Sequence, residues 1–544
     1  MRPSSSSFVL LSLTLAACGA PATVATIKPA PSTAPAPAAT TSAVRIPATT
    51  LTEAPKNWQL LDPTIDHVPG ISAERAMNEL LKGRAPKDTV LVAVIDNGID
   101  TLHADLVAHL WRNPQDGSHG WNFIGGKDGQ DVHFDTFEVT REYARCHGKA
   151  AASGAPPITD AAVCARIDAA FNKQRSQIQR TADSYRQLND LYKQIVPVLA
   201  SAASVSPDSL TVARVRALTP SDPQLARARE IFLDFGGQGA TPSAIADGLK
   251  SLEGQLQNSL NPDFNPRTIV GDNYANPNER DYGNRDVQGP EAQHGTHVAG
   301  IIGAVRDNNI GVDGVASAVK LMAIRTVPDG DERDKDVANA IRYAADHGAK
   351  IISMSFGKSY SPYKSAVDEA IKYADAKGVL MIHAAGNDGV DLAVEKNFPK
   401  PEYNDGGRPT NWIEVGASSW KGGDSLAAPF SNYAQKLVDV FAPGVDILST
   451  SPGNEYVRLS GTSMAAPVVS GLAALIMSYY PNLSAADVRK IILNSVTKVD
   501  QTVVKPGDDG AKVPFSSLSA TGGIVNAYNA IRMAEEMSKA QVRP

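Results

Sequence analysis

The sequence predicts an α/β fold, a mainly parallel sheet with helices on both faces, carrying an inserted α-helical subdomain. Three observations lead there. Short, continuous apolar runs recur along the chain, as expected of strands buried on both faces. Segments of helical period alternate with them, which argues for parallel strands joined by crossover helices. Between residues 131 and 285 the alternation stops and only helical periodicity remains.

Taken in order, residues 1–18 form a targeting segment. Arg2 supplies a charge, and Phe8 to Ala17 make an apolar core too short to span a bilayer, the pattern of a signal peptide. It ends on Leu15-Ala16-Ala17-Cys18-Gly19. That ending resembles the lipobox of bacterial lipoproteins, which implies a lipidated Cys18 and a membrane partner. Gly19 stands where an aspartate would favour inner-membrane retention, so the resemblance implies the outer membrane or cell surface. A plain signal peptide with an incidental cysteine is the alternative.

Residues 19–55 are rich in Ala, Pro and Thr and are expected to form a semi-extended tether. Residues 56–130 and 286–540 are expected to make up the α/β body. Ala73, Met77, Leu80 and Leu81 mark a short helix. Strands are expected at Val90–Ile95, Lys320–Ile324, Lys350–Met354, Val379–Ile382 and Trp412–Val415, with helices at Asp336–His347 and Ser365–Lys377. Met464 to Tyr480 contains Pro467, Ser470 and Gly471 and reads as a core helix rather than a membrane span. Ser484 and Asp487 suggest a capping box, and Ile524 to Met537 a final helix.

In the stretch 131–285, Ile167, Phe171, Ile178, Tyr185, Leu188, Tyr192 and Ile195 repeat at helical spacing. Thr241-Pro242 starts a second helix, with Thr as cap and Pro in the first turn. An antiparallel helical hairpin or small bundle is expected. Cys146 and Cys164 sit near its start; in an oxidising envelope they are compatible with a disulfide or with two free thiols.

The net charge of −6 argues against nucleic acid as a partner. Cys18, Cys146 and Cys164 have no zinc-site spacing, and no cofactor is expected. Oligomeric state is not encoded in any feature found.

Four short motifs carry chemistry. Asp96 ends the first strand, where α/β folds place their sites, although a turn aspartate reads the same way. His294-Gly295-Thr296-His297-Val298-Ala299-Gly300 opens a helix; a metal pair is an alternative, but a third ligand is missing. Asn387, in Ala384-Ala385-Gly386-Asn387, offers an amide that can donate to an oxyanion. Ser463, in Gly461-Thr462-Ser463-Met464-Ala465-Ala466-Pro467, lies at a helix start, where free N–H groups and the dipole suit a nucleophile.

Together these motifs resemble those of the subtilisin-like serine peptidases, the subtilases, whose triad runs Asp, His, Ser. The resemblance covers about 88–130 and 285–535. It implies that Ser463 is the nucleophile, His294 the general base and then acid, and Asp96 the orienter of its ring. Asn387 and the Ser463 N–H would form the oxyanion hole. Ser355, Phe356 and Gly357 match the segment that pairs with the substrate backbone, and Ala384, Ala385 and Gly386 the pocket wall. The implied partners are polypeptide substrates, bound as an added strand. Structural calcium is frequent in the family, but Asp307-Asn308-Asn309 and Asp329-Gly330-Asp331 lack a ligand spacing and read as solvated loops.

Several features depart from the family pattern. Asp96 and His294 are 198 residues apart. The stretch Asp391 to Thr410 is long and charged where relatives shape the primary pocket, and Asn97 and Ser353 replace commoner choices. The expectation is therefore a lipid-anchored envelope serine endopeptidase; an inactive scaffold acting as an envelope binding protein is the alternative.

Overall fold

The apolar runs become strands because both faces of the sheet are covered. The computed structural model describes residues 43–152, 154–236 and 241–542. The signal segment, Cys18 and the tether up to residue 42 lie outside the described residues. The strands are β1 (Val90–Asp96), β2 (Gly120–Asn122), β3 (Val319–Arg325), β4 (Ile351–Met354), β5 (Leu380–Ala384), β6 (Trp412–Ser418), β7 (Val440–Pro443), β8 (Ile447–Ser451), β9 (Glu455–Leu459), β10 (Thr497–Lys498), β11 (Thr502–Val504), β12 (Lys512–Pro514) and β13 (Gly523–Ile524). Nine of them form one sheet in the order β10-β13-β7-β6-β5-β4-β1-β3-β2, parallel except where β10 meets β13.

Alternate residues of each strand feed two cores, the period of two that a pleated strand imposes. Val92 and Val94 of β1, Leu321 and Ala323 of β3, and Leu380 and Ile382 of β5 enter one. Ala93 and Ile95, Met322 and Ile324, and Met381 enter the other. The helices are α1 (Ala73–Arg75), α2 (Glu138–His147), α3 (Ala161–Ala202), α4 (Val212–Ala217), α5 (Pro223–Gly236), α6 (Pro242–Gly254), α7 (Arg267–Val270), α8 (Gln293–Gly303), α9 (Asp334–Asp346), α10 (Lys364–Ala376), α11 (Thr462–Tyr479), α12 (Ala485–Asn494) and α13 (Ala527–Val542). Residues of α8, α11, α12 and α13 fill the first core, and those of α9 and α10 the second.

Helix α11 is apolar all round because it is enclosed. Among the described residues it is the one helix long and apolar enough to cross a membrane, and it is buried. Each of its buried Val, Leu and Ile side chains contributes about 1.5–3 kcal/mol relative to exposure.

Local sequence rules account for several boundaries. Ser484 and Asp487 form the reciprocal capping box of α12. Thr241 caps α6 by accepting from the Ala244 N–H, with Pro242 in the first turn. The final helix starts at Ala527 rather than Ile524, because Ile524 pairs with Phe441 as a strand residue. Residues 44–55, expected in the tether, lie against the body. Val44 bridges to Val499, and Ile46 is buried.

Helices α2–α7 lie between β2 and α8 and form a subdomain with its own small cores. Tyr192, Leu199, Val215, Phe232 and Ile245 make one, and Val139, Phe171 and Leu260 another. The 42-residue α3 is its axis, about 63 Å long at ~1.5 Å per residue. Cys146 and Cys164 are joined in a disulfide that ties α2 to α3, which decides between the two states left open by the sequence.

A buried ionic seam fastens this subdomain to the body. Lys358 Nζ lies 2.6 Å from Glu138 Oε2 and 2.8 Å from Asp334 Oδ1. Arg333 pairs with Asp135 at 2.7 Å, Arg267 with Asp336 at 2.6 Å, and Lys335 with Asp272 at 2.5 Å. Burial alone would raise the Glu138 carboxyl, but Arg141 and Lys358 overcome it and hold it down at about 2. Such a seam adds little net stability when whole, yet losing one partner strands the other in a dry site. Lys358→Met should therefore lower unfolding stability by about 3–5 kcal/mol in urea titrations. A change below 1 kcal/mol would mean that the seam is solvated.

Candidate active site

The strand order places β1 between β3 and β4, so the chain moves to opposite sides of β1 as it builds the sheet. Open α/β sheets bind ligands beyond the carboxyl ends of strands at such a switch point. Asp96 is the last residue of β1, Ser355 follows β4, and Ala385, Gly386 and Asn387 follow β5.

His294 is the second residue of α8. Its Nδ1 is 2.7 Å from Asp96 Oδ1. Donation from Nδ1–H to the carboxylate leaves Nε2 as the bare, basic nitrogen. Burial pulls the imidazole pKa down, but the Asp96 charge and hydrogen bond, with Glu291 beyond, outweigh it and raise the pKa above 6.5. Asn97 sets the approach of the two elements. Its Oδ1 accepts from the Gly295 N–H at 2.8 Å, and its amide donates to Glu291. Gly295 is required at this contact, since a Cβ there would lie 2.2 Å from the Gly98 carbonyl oxygen.

The second histidine of the motif has another role. His297 Nε2 faces the carbonyls of Ile447 and Val457, at 3.0 and 3.1 Å, inside the β8–β9 hairpin. Burial brings its pKa down to about 4, so it stays neutral. The two rings are committed to different partners and do not form a metal pair. Asn308 of the Asp307-Asn308-Asn309 cluster is engaged within the fold. Asn308 donates to Asp105 at 2.6 Å and the Val312 N–H to the same carboxylate at 3.1 Å. Among the described residues no three His, Cys, Asp or Glu side chains are arranged to hold a metal ion.

Ser463 is the second residue of α11, in the first turn, where its N–H has no intrahelical acceptor. Its hydroxyl donates to the Ser355 carbonyl at 3.1 Å and is not hydrogen-bonded to His294. Ser355 Oγ donates back to the Ser463 carbonyl at 3.0 Å. Asn387 Oδ1 accepts from the Thr462 N–H and hydroxyl, at 2.8 and 3.0 Å. With its oxygen engaged, the exposed Asn387 amide presents its N–H₂ beside the start of α11.

Ser355, Phe356 and Gly357 make no backbone–backbone hydrogen bond to a neighbouring strand among the described residues, while the Ser355 carbonyl takes the Ser463 hydroxyl and the Phe356 carbonyl lies 2.9 Å from His383 Nε2. The carbonyls of Ala384, Ala385 and Gly386 accept from Asn397 Nδ2, Asn432 Nδ2 and the Asn432 N–H, at 3.2, 3.0 and 2.9 Å. Asn397 stands between the two segments, because a Cβ on Gly357 would meet its Oδ1 at 2.2 Å and a Cβ on Gly386 its Nδ2 at 3.3 Å.

Asp96, His294, Ser355, Phe356 and Gly357 line a cavity of about 420 Å³. His133, Phe137 and Gln255 of the helical subdomain line it too, as do Asp329 and Glu332 of the loop before α9. The sequence singled out neither Asn397 nor Glu332, Phe137 and Gln255. Asn397 lies in the charged stretch Asp391–Thr410, the one signal that pointed near it. Burial, opposed by Lys358 and helped by Asp331, pushes the Glu332 acid up.

Comparison with known proteins identifies the family. Residues 87–511 match the subtilase family. The chain is 37% identical over 271 residues to the thermophilic serine proteinase of Bacillus sp. (strain AK1), covering 50% of this chain and 58% of that protein. It is 38% identical over 240 residues to thermitase of Thermoactinomyces vulgaris, covering 44% of this chain and 75% of thermitase. It is 37% identical over 211 residues to subtilisin BL of Lederbergia lenta, covering 38% of this chain and 72% of that protein. A solved structure of proteases from Pseudoalteromonas arctica PAMC 21717 aligns over 88% of this chain and 98% of its own at 19% identity, with a TM-score of 0.47. With the match spanning eight of the nine strands of the sheet, both helix starts and the segments after β4 and β5, this chain belongs to the subtilase family of subtilisin-like serine peptidases.

Proposed function

We propose that this protein is a serine endopeptidase that hydrolyses peptide bonds in polypeptides through an acyl-enzyme. The observation that carries the reading is the Asp96–His294 contact, which leaves Nε2 free in the cavity that Ser355 also lines. The Ser463 hydroxyl rests on the Ser355 carbonyl, and the proposed reaction requires it to leave that carbonyl for the imidazole by rotation about its Cα–Cβ bond. Nucleophile–base contacts often tighten only once substrate is bound.

In the proposed cycle the substrate strand lies along Ser355–Gly357. His294 Nε2 takes the Ser463 proton as Oγ attacks the scissile carbonyl carbon. The imidazolium is held by the Asp96 carboxylate, and the oxyanion by the Asn387 amide and the Ser463 N–H. The imidazolium then protonates the leaving amine. Water, deprotonated by the same imidazole, releases the acid and restores the hydroxyl.

Two finer readings belong here. Residues 131–285 act as an inserted subdomain that overhangs the cleft, since His133, Phe137 and Gln255 reach the cavity. The protein is held at the cell envelope, outer membrane or surface, by lipidated Cys18, in keeping with the Leu15-Ala16-Ala17-Cys18 ending.

A fluorophosphonate probe should label wild type and not Ser463→Ala, and casein hydrolysis should vanish with the label; equal labelling of both would reject the assignment. Asn387→Leu should cut kcat by about 10²–10³, the cost of losing one such donor in subtilisin. The base must be neutral and its pKa is raised, so kcat/KM should rise with pH through a midpoint above 6.5. Glu291→Gln should move that midpoint down. Cys18→Ser should shift the protein from the membrane pellet to the soluble fraction; unchanged pelleting would dismiss the lipid anchor.

A further inference from the structure

We propose that the cleft contains an acidic subsite, formed by Asp329 and Glu332 and walled by Phe137 and Gln255, which holds a lysine or arginine side chain of the polypeptide substrate. This deepens the peptidase reading and rests on it.

Most of the charges that line the cavity are already spent within the fold. Four carboxylates line it: Asp96, Glu291, Asp329 and Glu332. Asp96 is bound to His294, and Glu291 takes the Asn97 amide. The one guanidinium in the lining, Arg325, is already committed. Its Nε donates to the Asn97 carbonyl at 2.9 Å, and its Nη2 to the Val132 carbonyl at 2.6 Å. Its Nη1 is shared between Asn122 and Asp131. No lysine or arginine of the lining is left for Asp329 and Glu332; His133 is the lining's one base that acts on Asp329.

Glu332 is the more telling of the two. It is 2% exposed, and its Oε1 has no hydrogen-bond partner. The nearby cations serve other groups: Lys358 binds Glu138 and Asp334, and Arg141 binds Glu138. The hydrogen bonds of Lys358 and Arg141 to Glu332 go to its main-chain carbonyl, at 2.9 and 3.1 Å, so their charges reach its carboxyl without supplying a donor. A buried carboxyl group without a donor is costly, and an arriving cation that brings N–H donors removes the cost.

Asp329 supplies the second, exposed carboxylate on a fixed loop. Its N–H donates to the His133 carbonyl at 2.8 Å, and its carbonyl accepts from the Asp135 N–H at 3.0 Å. The loop is thus pinned to the segment that leads into α2, and the side chain stays in the cavity lining. Phe137 and Gln255, both half-buried, add an apolar ring and an amide. That pairing suits a long aliphatic stem carrying a cationic head.

The test uses the purified full-length chain and a set of peptides in which one residue at a time is lysine or norleucine, the uncharged stem of nearly the same length. The readout is the lysine-to-norleucine ratio of kcat/KM at each position, which cancels any general loss of activity. One position should favour lysine by at least about tenfold, mostly through KM. In D329N/E332Q that ratio should fall to within about twofold of one. Because Glu332 borders the ionic seam, the exposed single variant D329N provides a second measurement, expected to lower the ratio by at least about threefold. A wild type that cleaves without charge preference at any position, or a preference that survives both variants, would overturn the subsite alone. Failure of wild type to cleave any of the peptides would overturn the peptidase reading, and the subsite with it.

Discussion

The close approach of the end of β1 to the start of α8 is the constraint on which the rest depends. Asp96 and His294 meet at 2.7 Å although 198 residues lie between them. The approach needs Gly295, whose missing side chain lets the helix reach the Gly98 carbonyl, and the Asn97 side chain, which ties the Gly295 N–H. Both elements are rigid for independent reasons. β1 is central in the sheet and clamped by a core on each face, and α8 is packed into the first of those cores. The acid–base contact is therefore held by the packing of the whole body.

The helical subdomain occupies much of the interval between acid and base, yet it does not disturb that contact. Its ends are stitched to the body where the chain leaves β2 and before it enters α8. The seam does this with Asp135, Glu138, Arg267 and Asp272 on one side and Arg333, Lys335, Asp336 and Lys358 on the other. Because Arg333 to Asp336 open α9 and Lys358 follows Gly357, the seam also fixes two borders of the cleft. Positioning of the subdomain and shaping of the cavity are thus one set of interactions.

Much of this was legible in the sequence, and physics explains what was not. Val90–Ile95 and its counterparts read as strands because burial on both faces erases polar alternation, and the observed strands differ from them only at the ends. β2, β10 and β13 have two or three residues each, too few for any period to register, and their pairing is decided by neighbours far along the chain. Ser484 and Asp487 signalled a helix start because capping is local. Asp96, His294, Asn387 and Ser463 stand in short motifs, and the fold brings all four to the carboxyl ends of central strands or to helix starts beside them. Glu332, Asn397, Phe137 and Gln255 sit in no motif. Their place in the cleft comes from tertiary contact, which a linear pattern does not encode. The disulfide was undecidable for the same reason, since only the packing of α2 on α3 brings Cys146 and Cys164 together.

The bridge from Val44 to Val499 has a mechanical consequence. Val499 directly follows β10, the edge strand, and six strand spacings of ~4.8 Å separate β10 from β1, about 29 Å. A force applied through residue 44 would load the parallel bridge in shear at one rim of the sheet. It would then have to cross five more strands before reaching the carboxylate at the end of β1. The point of traction and the point of chemistry are decoupled, so a leash attached there could bear load without bending the cleft.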